Sequence, residues 1–385
     1  FFDISDELFP PQFCSKFDII KSIWVNCILQ DEAYFHSTLA ISASYVNFWQ
    51  RKPSVSPKTL HHIAKAYELV NARLSGPERV SDSAIAAVIS LVMYQQVHNQ
   101  HSAGLVHLDG LYQMIGLRGG IRRLLEENRA LALKALRVDV ELALQNGTPT
   151  LFGSEALPNA IPPGSEIPQV TKIHSFDATP ARSPHAMLDA VAFSGVLNNI
   201  GLKGSARLDP LRFMEMTILL LYRLVEAVPL GQPRSPCDLT KSEEQHGEVV
   251  NLAMLAFMTT LLPEYGRAPD CSSHPLLCCR LKSAIRDLHF IYSPEENSDL
   301  SLLLLWALFI GGVSVMKGKE LREISPLIFE TSTRLGLCDW PAIHEKLCLF
   351  RWIRASHDRP GFALWEISQQ RSSGTSPASS SAAIS

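Results

Sequence analysis

Apolar residues in this chain recur every three or four positions, and almost nowhere in the alternating pattern of a half-buried strand. Ser56-Pro57 supplies a helix N-cap and first-turn proline, and Leu60, Ile63, Tyr67, Val70 and Leu74 then fall on one face before Gly76-Pro77 ends the run. Ser81 or Asp82 caps the next stripe, Ile85, Val88, Ile89, Val92 and Met93. A third helix is expected from about Ala103 to Leu117, stopping at Gly119-Gly120. A fourth runs from Asn128 to Asn146, with Leu133, Leu136, Val140 and Leu144 on one face and Arg137 with Glu141 as an exposed i,i+4 pair. Asn146-Gly147-Thr148-Pro149 stops it. Further on, Asp209-Pro210 opens a helix through Val228, the capping box Ser242-Glu243-Glu244-Gln245 starts another, Ser273 a third, and Asp299, Lys319 and Asp339 three more. The pattern predicts an all-α fold, a large array of about a dozen antiparallel-packed helices.

Two stretches depart from it. Gly147 to His185 holds seven prolines and reads as one long Pro-rich loop (147–185), with a short extended piece near Val170 to Ile173. Arg371 to Ser385 holds seven serines in fifteen residues and is expected to be a disordered tail, leaving 1–370 as one helical domain. With hydrophobic residues at 46% and charged residues at 19%, the rest has ample material for a core. Leu300 to Met316 is free of charge but only 17 residues long, between Asp299 and Lys317. It reads as a helix buried on all sides rather than a membrane span. The eight cysteines form no framework and are expected to be reduced thiols. The start, Phe1 to Glu7, is acidic and lacks the basic region of a signal peptide; because the first residue is not Met, a further segment upstream is an open expectation.

Chemistry is sparse. The net charge is −3, without the basic excess that a free-standing nucleic-acid binder uses to neutralise phosphates. Lys203-Gly204-Ser205 lacks the lead of a phosphate loop, Gly116-Leu117-Arg118-Gly119-Gly120 follows a helix instead of a strand, and Phe193-Ser194-Gly195 is not a nucleophile elbow. Cys271, His274, Cys278 and Cys279 lie within nine residues, but adjacent thiols diverge by about 100° on a helix. His98, His101 and His107 read as surface or interhelical histidines. Asp139 and Glu141, two apart, diverge and cannot share acid-base work, although either could be a buried anchor. Arg118, Arg122 and Arg123 sit beside Glu126 and Glu127, and with Arg351 and Arg354 they read as solvated faces. No catalytic, cofactor-binding or metal residue is assigned. An isoprenoid-synthase type of enzyme would need a DDxxD motif, and none occurs.

Three stretches in order carry a resemblance: His107-Leu108-Asp109-Gly110-Leu111 with Leu117-Arg118-Gly119-Gly120-Ile121; Leu131 to Leu144 followed by Gly147, Pro149 and Leu151-Phe152; and Leu304 to Gly312, followed by Leu335-Gly336, Trp340 and Leu347 to Trp352. From about Phe17 to Ile353 the chain resembles the helical regulatory domain of fungal-specific transcription factors of the binuclear zinc-cluster family. The resemblance implies an all-α fold, no enzymatic activity, a nuclear location and a role in controlling transcription. It also implies partners: transcriptional co-regulators or a small-molecule effector, with homodimerisation open and no membrane. The family's DNA-binding module holds two zinc ions through six cysteines that begin with a CxxC pair. No CxxC occurs here, so no cofactor is expected in this chain; zinc and DNA would enter only through a module upstream of Phe1, or the protein lacks one. Gly110, Gly119 and Gly120 read as packing and turn positions, and Trp306, Trp340 and Trp352 as core fillers. The competing reading is a helical interaction or scaffold protein without DNA binding.

Overall fold

The computed structural model describes residues 8–16, 23–49, 55–157, 184–200, 206–232, 242–262, 272–291 and 298–372. Among the described residues the fold is all-α, with fifteen α-helices, one short 3-10 turn at Ser154–Ala156 and no strand beyond a single bridge between Cys14 and Leu208. The helices are α1 (Ile23–Gln30), α2 (Glu32–Trp49), α3 (Pro57–Leu74), α4 (Asp82–Val97), α5 (His101–Leu117), α6 (Ile121–Glu127), α7 (Arg129–Asn146) and α8 (Pro184–Asn199). They continue as α9 (Pro210–Ala227), α10 (Ser242–Thr259), α11 (Pro275–Ile291), α12 (Ser298–Val313), α13 (Gly318–Arg334), α14 (Trp340–Cys348) and α15 (Arg354–Ser372).

The caps read from sequence form where expected. Ser56 accepts from the Thr59 N–H, Ser81 from Ala84, Asn128 from Leu131, Asp209 from Arg212 and Asp339 from Ala342. Each oxygen satisfies one of the first-turn donors that a helix leaves open. Ser273 is not the start of α11: the Cys278 N–H reaches the carbonyl of His274, so the helix begins two residues later, at Pro275. Gly147 ends α7 in the left-handed region at φ +70°, and its carbonyl accepts from the Gly231 N–H at 3.1 Å. A Cβ on Gly147 would lie 2.7 Å from that nitrogen, so the stop needs glycine twice over.

The array exceeds the dozen expected because α1, α2, α8 and α15 are unmarked in the sequence reading, although Asp31 caps α2 by accepting the Tyr34 N–H at 2.8 Å and Ser183-Pro184 stands at the start of α8. α8 starts at Pro184, inside the stretch assigned to the Pro-rich loop, and α15 runs through Ser372, two residues into the expected disordered tail. The extended piece near Val170 to Ile173, and the remainder of the tail, lie outside the described residues.

α2, α3, α4 and α5 pack on one another, and α4 and α5 rest on α7. α7 in turn meets α9 and α11, and α10 to α15 close the other side. α7 is the hub. From Leu131 to Leu144 every residue except Lys134 is buried, polar ones included. α12 is similarly enclosed: Leu303 through Ile310 are all buried, as the reading of its uncharged run required. No helix among the described residues is long and apolar enough to cross a membrane. Trp306 and Trp352 are core fillers, with Trp306 stacked on Phe350 at 5.6 Å, whereas Trp340 is only half-buried.

One pH response follows from this core. His357 is buried, accepts the Ile353 N–H at Nδ1 and meets Thr260 Oγ1 at 2.9 Å through Nε2. Burial lowers its pKa from 6.5 to about 3. Unfolded chains take up a proton here as pH falls below 6.5 while the native state does not, so the native state loses about 1.4 kcal/mol per pH unit down to about 3. Urea midpoints measured between pH 7 and 4 should fall in the wild type and fall less steeply in His357→Gln; parallel slopes would contradict this.

Candidate functional site

Helix α3 was expected to bury Leu60, Tyr67 and Leu74 with Ile63 and Val70. Its buried face is instead Thr59, Ile63, Ala66 and Val70, while Leu60 and Leu74 stay open to solvent. The apolar stripe is wider than the neighbouring helices cover, and its uncovered edge forms one wall of a cleft of about 410 Å³ between α3, α4 and α5. α3 supplies Tyr67, Val70, Asn71 and Leu74, and α4 supplies Val88 and Leu91. The far wall is α5, with Val106, His107, Gly110, Gln113, Met114 and Leu117; Arg79, from the turn before α4, sits at the rim.

The interior of this cleft is set by a few contacts. The Tyr67 hydroxyl accepts from the Gln95 amide at 2.5 Å, which fixes the ring, and His107 stacks on it at 5.6 Å. Burial lowers the His107 pKa, so the imidazole is neutral near pH 7. Gly110 proves to be no close-packing glycine: a Cβ there would meet nothing within 4 Å, and its missing side chain leaves the floor open. Close approach occurs at Gly104, where a Cβ would touch Leu142 of α7. Val106 and Leu117 are 71% and 66% exposed, leaving an apolar lip on each side of Gly110.

The other sequence candidates do not assemble into chemistry. His98 caps α4 and bonds Ser44 at 2.9 Å, while His107 faces the cleft; both are interhelical, and they do not converge with His101. Of the cysteine cluster, Cys278 is buried and Cys279 exposed, on diverging faces, and Cys271 lies outside the described residues. His36 and His62, unmarked in the sequence reading, approach at 2.8 Å between their Nδ1 atoms. Among the described residues no group of three His, Cys, Asp or Glu is placed to hold a metal ion, and the six described cysteines are free.

Cys348, His344 and Asp358 look at first like a nucleophile relay, at 3.5 and 2.9 Å. Both contacts go to the same His344 Nε2, whereas a relay needs the carboxylate on the opposite nitrogen. Burial also pushes the Cys348 thiol up, away from the reactive thiolate.

Of the arginines read as solvated faces, Arg122, Arg123 and Arg354 are exposed as expected, whereas Arg118 is a cross-link and Arg351 is buried. Arg118 joins Asp82 at the start of α4 to Glu127 at the end of α6, the latter at 2.8 Å. Arg123 pairs with Glu127 at 2.7 Å, and Arg122 donates to the Glu155 carbonyl. Arg351 is buried, and the Arg354 N–H donates to Asn198. Gly119 and Gly120, at φ +107° and +92°, make the turn that sets Arg118 in this node.

Arg137 and Glu141 form their i,i+4 pair at 3.2 Å but inside the core, their side chains 3% and 4% exposed, where sequence periodicity placed them outside. Asp139 is the buried anchor allowed for it. Its carboxylate accepts from the backbone N–H groups of Leu151 and Phe152 and from the Tyr222 hydroxyl at 2.6 Å.

Residues 11–136 match the family model of the fungal specific transcription factor domain. This stretch contains all of α1 to α6 and the whole cleft, and covers about a third of the chain. The third of those motif stretches, Leu304 to Trp352, lies beyond the match. No curated protein and no solved structure matches the chain.

Proposed function

We propose that the chain is the helical effector part of a transcription regulator of fungal type, working in the nucleus and without enzymatic activity. The observation that carries this is the match of residues 11–136 to a fungal transcription-factor domain. Two features support a role that leaves DNA contact to a separate zinc-cluster module. No CxxC pair occurs in the sequence. Arg118 and Arg123, which could have made part of a basic face, are paired with Asp82 and Glu127, so they offer phosphates little free charge. The continuous cluster of buried side chains from Phe9 to Trp365 supports treating 1–370 as one helical domain. Its partners would be co-regulators or a small effector molecule.

Fusing the chain to an unrelated DNA-binding module upstream of a reporter tests this. Transcription from the reporter should change by about tenfold or more, and a fluorescently tagged chain should accumulate in the nucleus. An unaltered reporter together with nuclear exclusion would overturn the proposal in favour of a cytoplasmic scaffold protein without DNA binding.

A further inference from the structure

We infer that the α3–α4–α5 cleft binds a small amphipathic carboxylate, its hydrocarbon part lying over Gly110 and its carboxylate on Arg79. The size fits, since about 410 Å³ is within the range of small-molecule sites. The lining also fits. Val70, Val88, Leu91 and Met114 are apolar, and no carboxylate lines the cleft. Arg79 supplies its one charge. That guanidinium forms no ion pair among the described residues, in contrast to Arg118 and Arg123. A free guanidinium at the edge of an apolar slot selects a planar anion that can accept two parallel N–H bonds. Asn71 and the neutral His107 ring add polar contacts that a carboxylate can use without a competing charge.

Gly110 is the second independent observation. Glycine inside a helix costs about 0.5–1 kcal/mol relative to alanine, and here it brings no close packing in return, because the space beyond it is empty. What it does leave is room for a chain of methylene groups between Val106 and Leu117. Covering those two exposed side chains supplies the apolar part of the affinity.

This inference deepens the proposed effector role and rests on it for its regulatory meaning, but binding is read on the purified chain without any reporter. Isothermal titration with decanoate should give saturable one-to-one binding. Arg79→Gln should weaken it on the order of tenfold, the value of one charge-assisted contact. Decan-1-ol should bind wild type and Arg79→Gln alike. Gly110→Leu should abolish binding with its thermal transition kept, because the new side chain enters open space. The inference is overturned if wild type takes up no decanoate saturably, which would leave the cleft to a partner helix. It is equally overturned if Arg79→Gln or Gly110→Leu binds as wild type does. A reporter that responds while decanoate fails to bind separates loss of this inference from loss of the transcriptional reading.

Discussion

Replacing Arg137 with leucine should destabilise the protein by about 3–5 kcal/mol, because it strands Glu141 as an unpaired charge in the core. Among the described residues Glu141 has the Gln96 amide, at 3.4 Å, as its further hydrogen-bond partner. Its carboxyl is already pushed up by burial, with the Arg137 charge working against that rise. Glu141→Leu should cost a similar amount by stranding the guanidinium. The double variant Arg137→Leu/Glu141→Leu should cost less than either single change, since neither partner is then left as an unpaired buried charge. Urea unfolding of the four proteins in a double-mutant cycle measures this, and additive single costs would refute the pairing. Arg137 also presses on Lys134, whose pKa burial and that neighbouring charge lower to about 7. Lys134 holds its ammonium 4.0 Å from the centre of the Trp24 ring, which ties α7 to α1.

Asp139→Ala should be the other costly change, about 3–5 kcal/mol, from three donors losing one acceptor at about 1–3 kcal/mol each. The Tyr222 hydroxyl keeps the Leu136 carbonyl at 3.1 Å, so the loss falls mostly on the backbone N–H groups of Leu151 and Phe152. Those two groups hold the chain as it leaves α7 towards the 3-10 turn. Asp139→Asn should cost roughly half as much, since its amide oxygen can still accept. Hydrogen exchange offers the sharper readout: the Leu151 and Phe152 amides should lose protection in Asp139→Ala before the rest of the molecule unfolds. Global loss without that local order would contradict the anchor role.

Much of the fold is legible in the sequence because helix signals are local. A serine before a proline, an asparagine ahead of a leucine run, or a glycine after it determines a boundary within a few residues, and Ser56, Asn128 and Gly147 do so here. α15 was harder to read since Pro360 and Gly361 sit within it, and Gly361 leaves room for the edges of Trp340 and Trp352. The side a helix buries was less legible. α7 has charged residues at Lys134, Arg137, Asp139 and Glu141, which on a two-sided helix mark the solvent face. With α4, α5, α9 and α11 all against it, α7 has no solvent face, and the charges satisfy one another and their neighbours instead. The cleft had one signal in the sequence, the surplus width of the α3 stripe with Leu60 and Leu74 at its edges. That surplus reads as core until the partner helix is seen to stop short of it.

Helix type, most helix starts, the absence of a CxxC pair and the family motifs were determined by the sequence alone, since each depends on residues within a few positions of one another. The burial of the Arg137–Glu141 pair, the three donors on Asp139, the linking of Arg118 to two carboxylates and the cleft beside Gly110 were decided only by the tertiary structure. Each depends on which helix lies opposite, and that is settled by how the helical surfaces share one core.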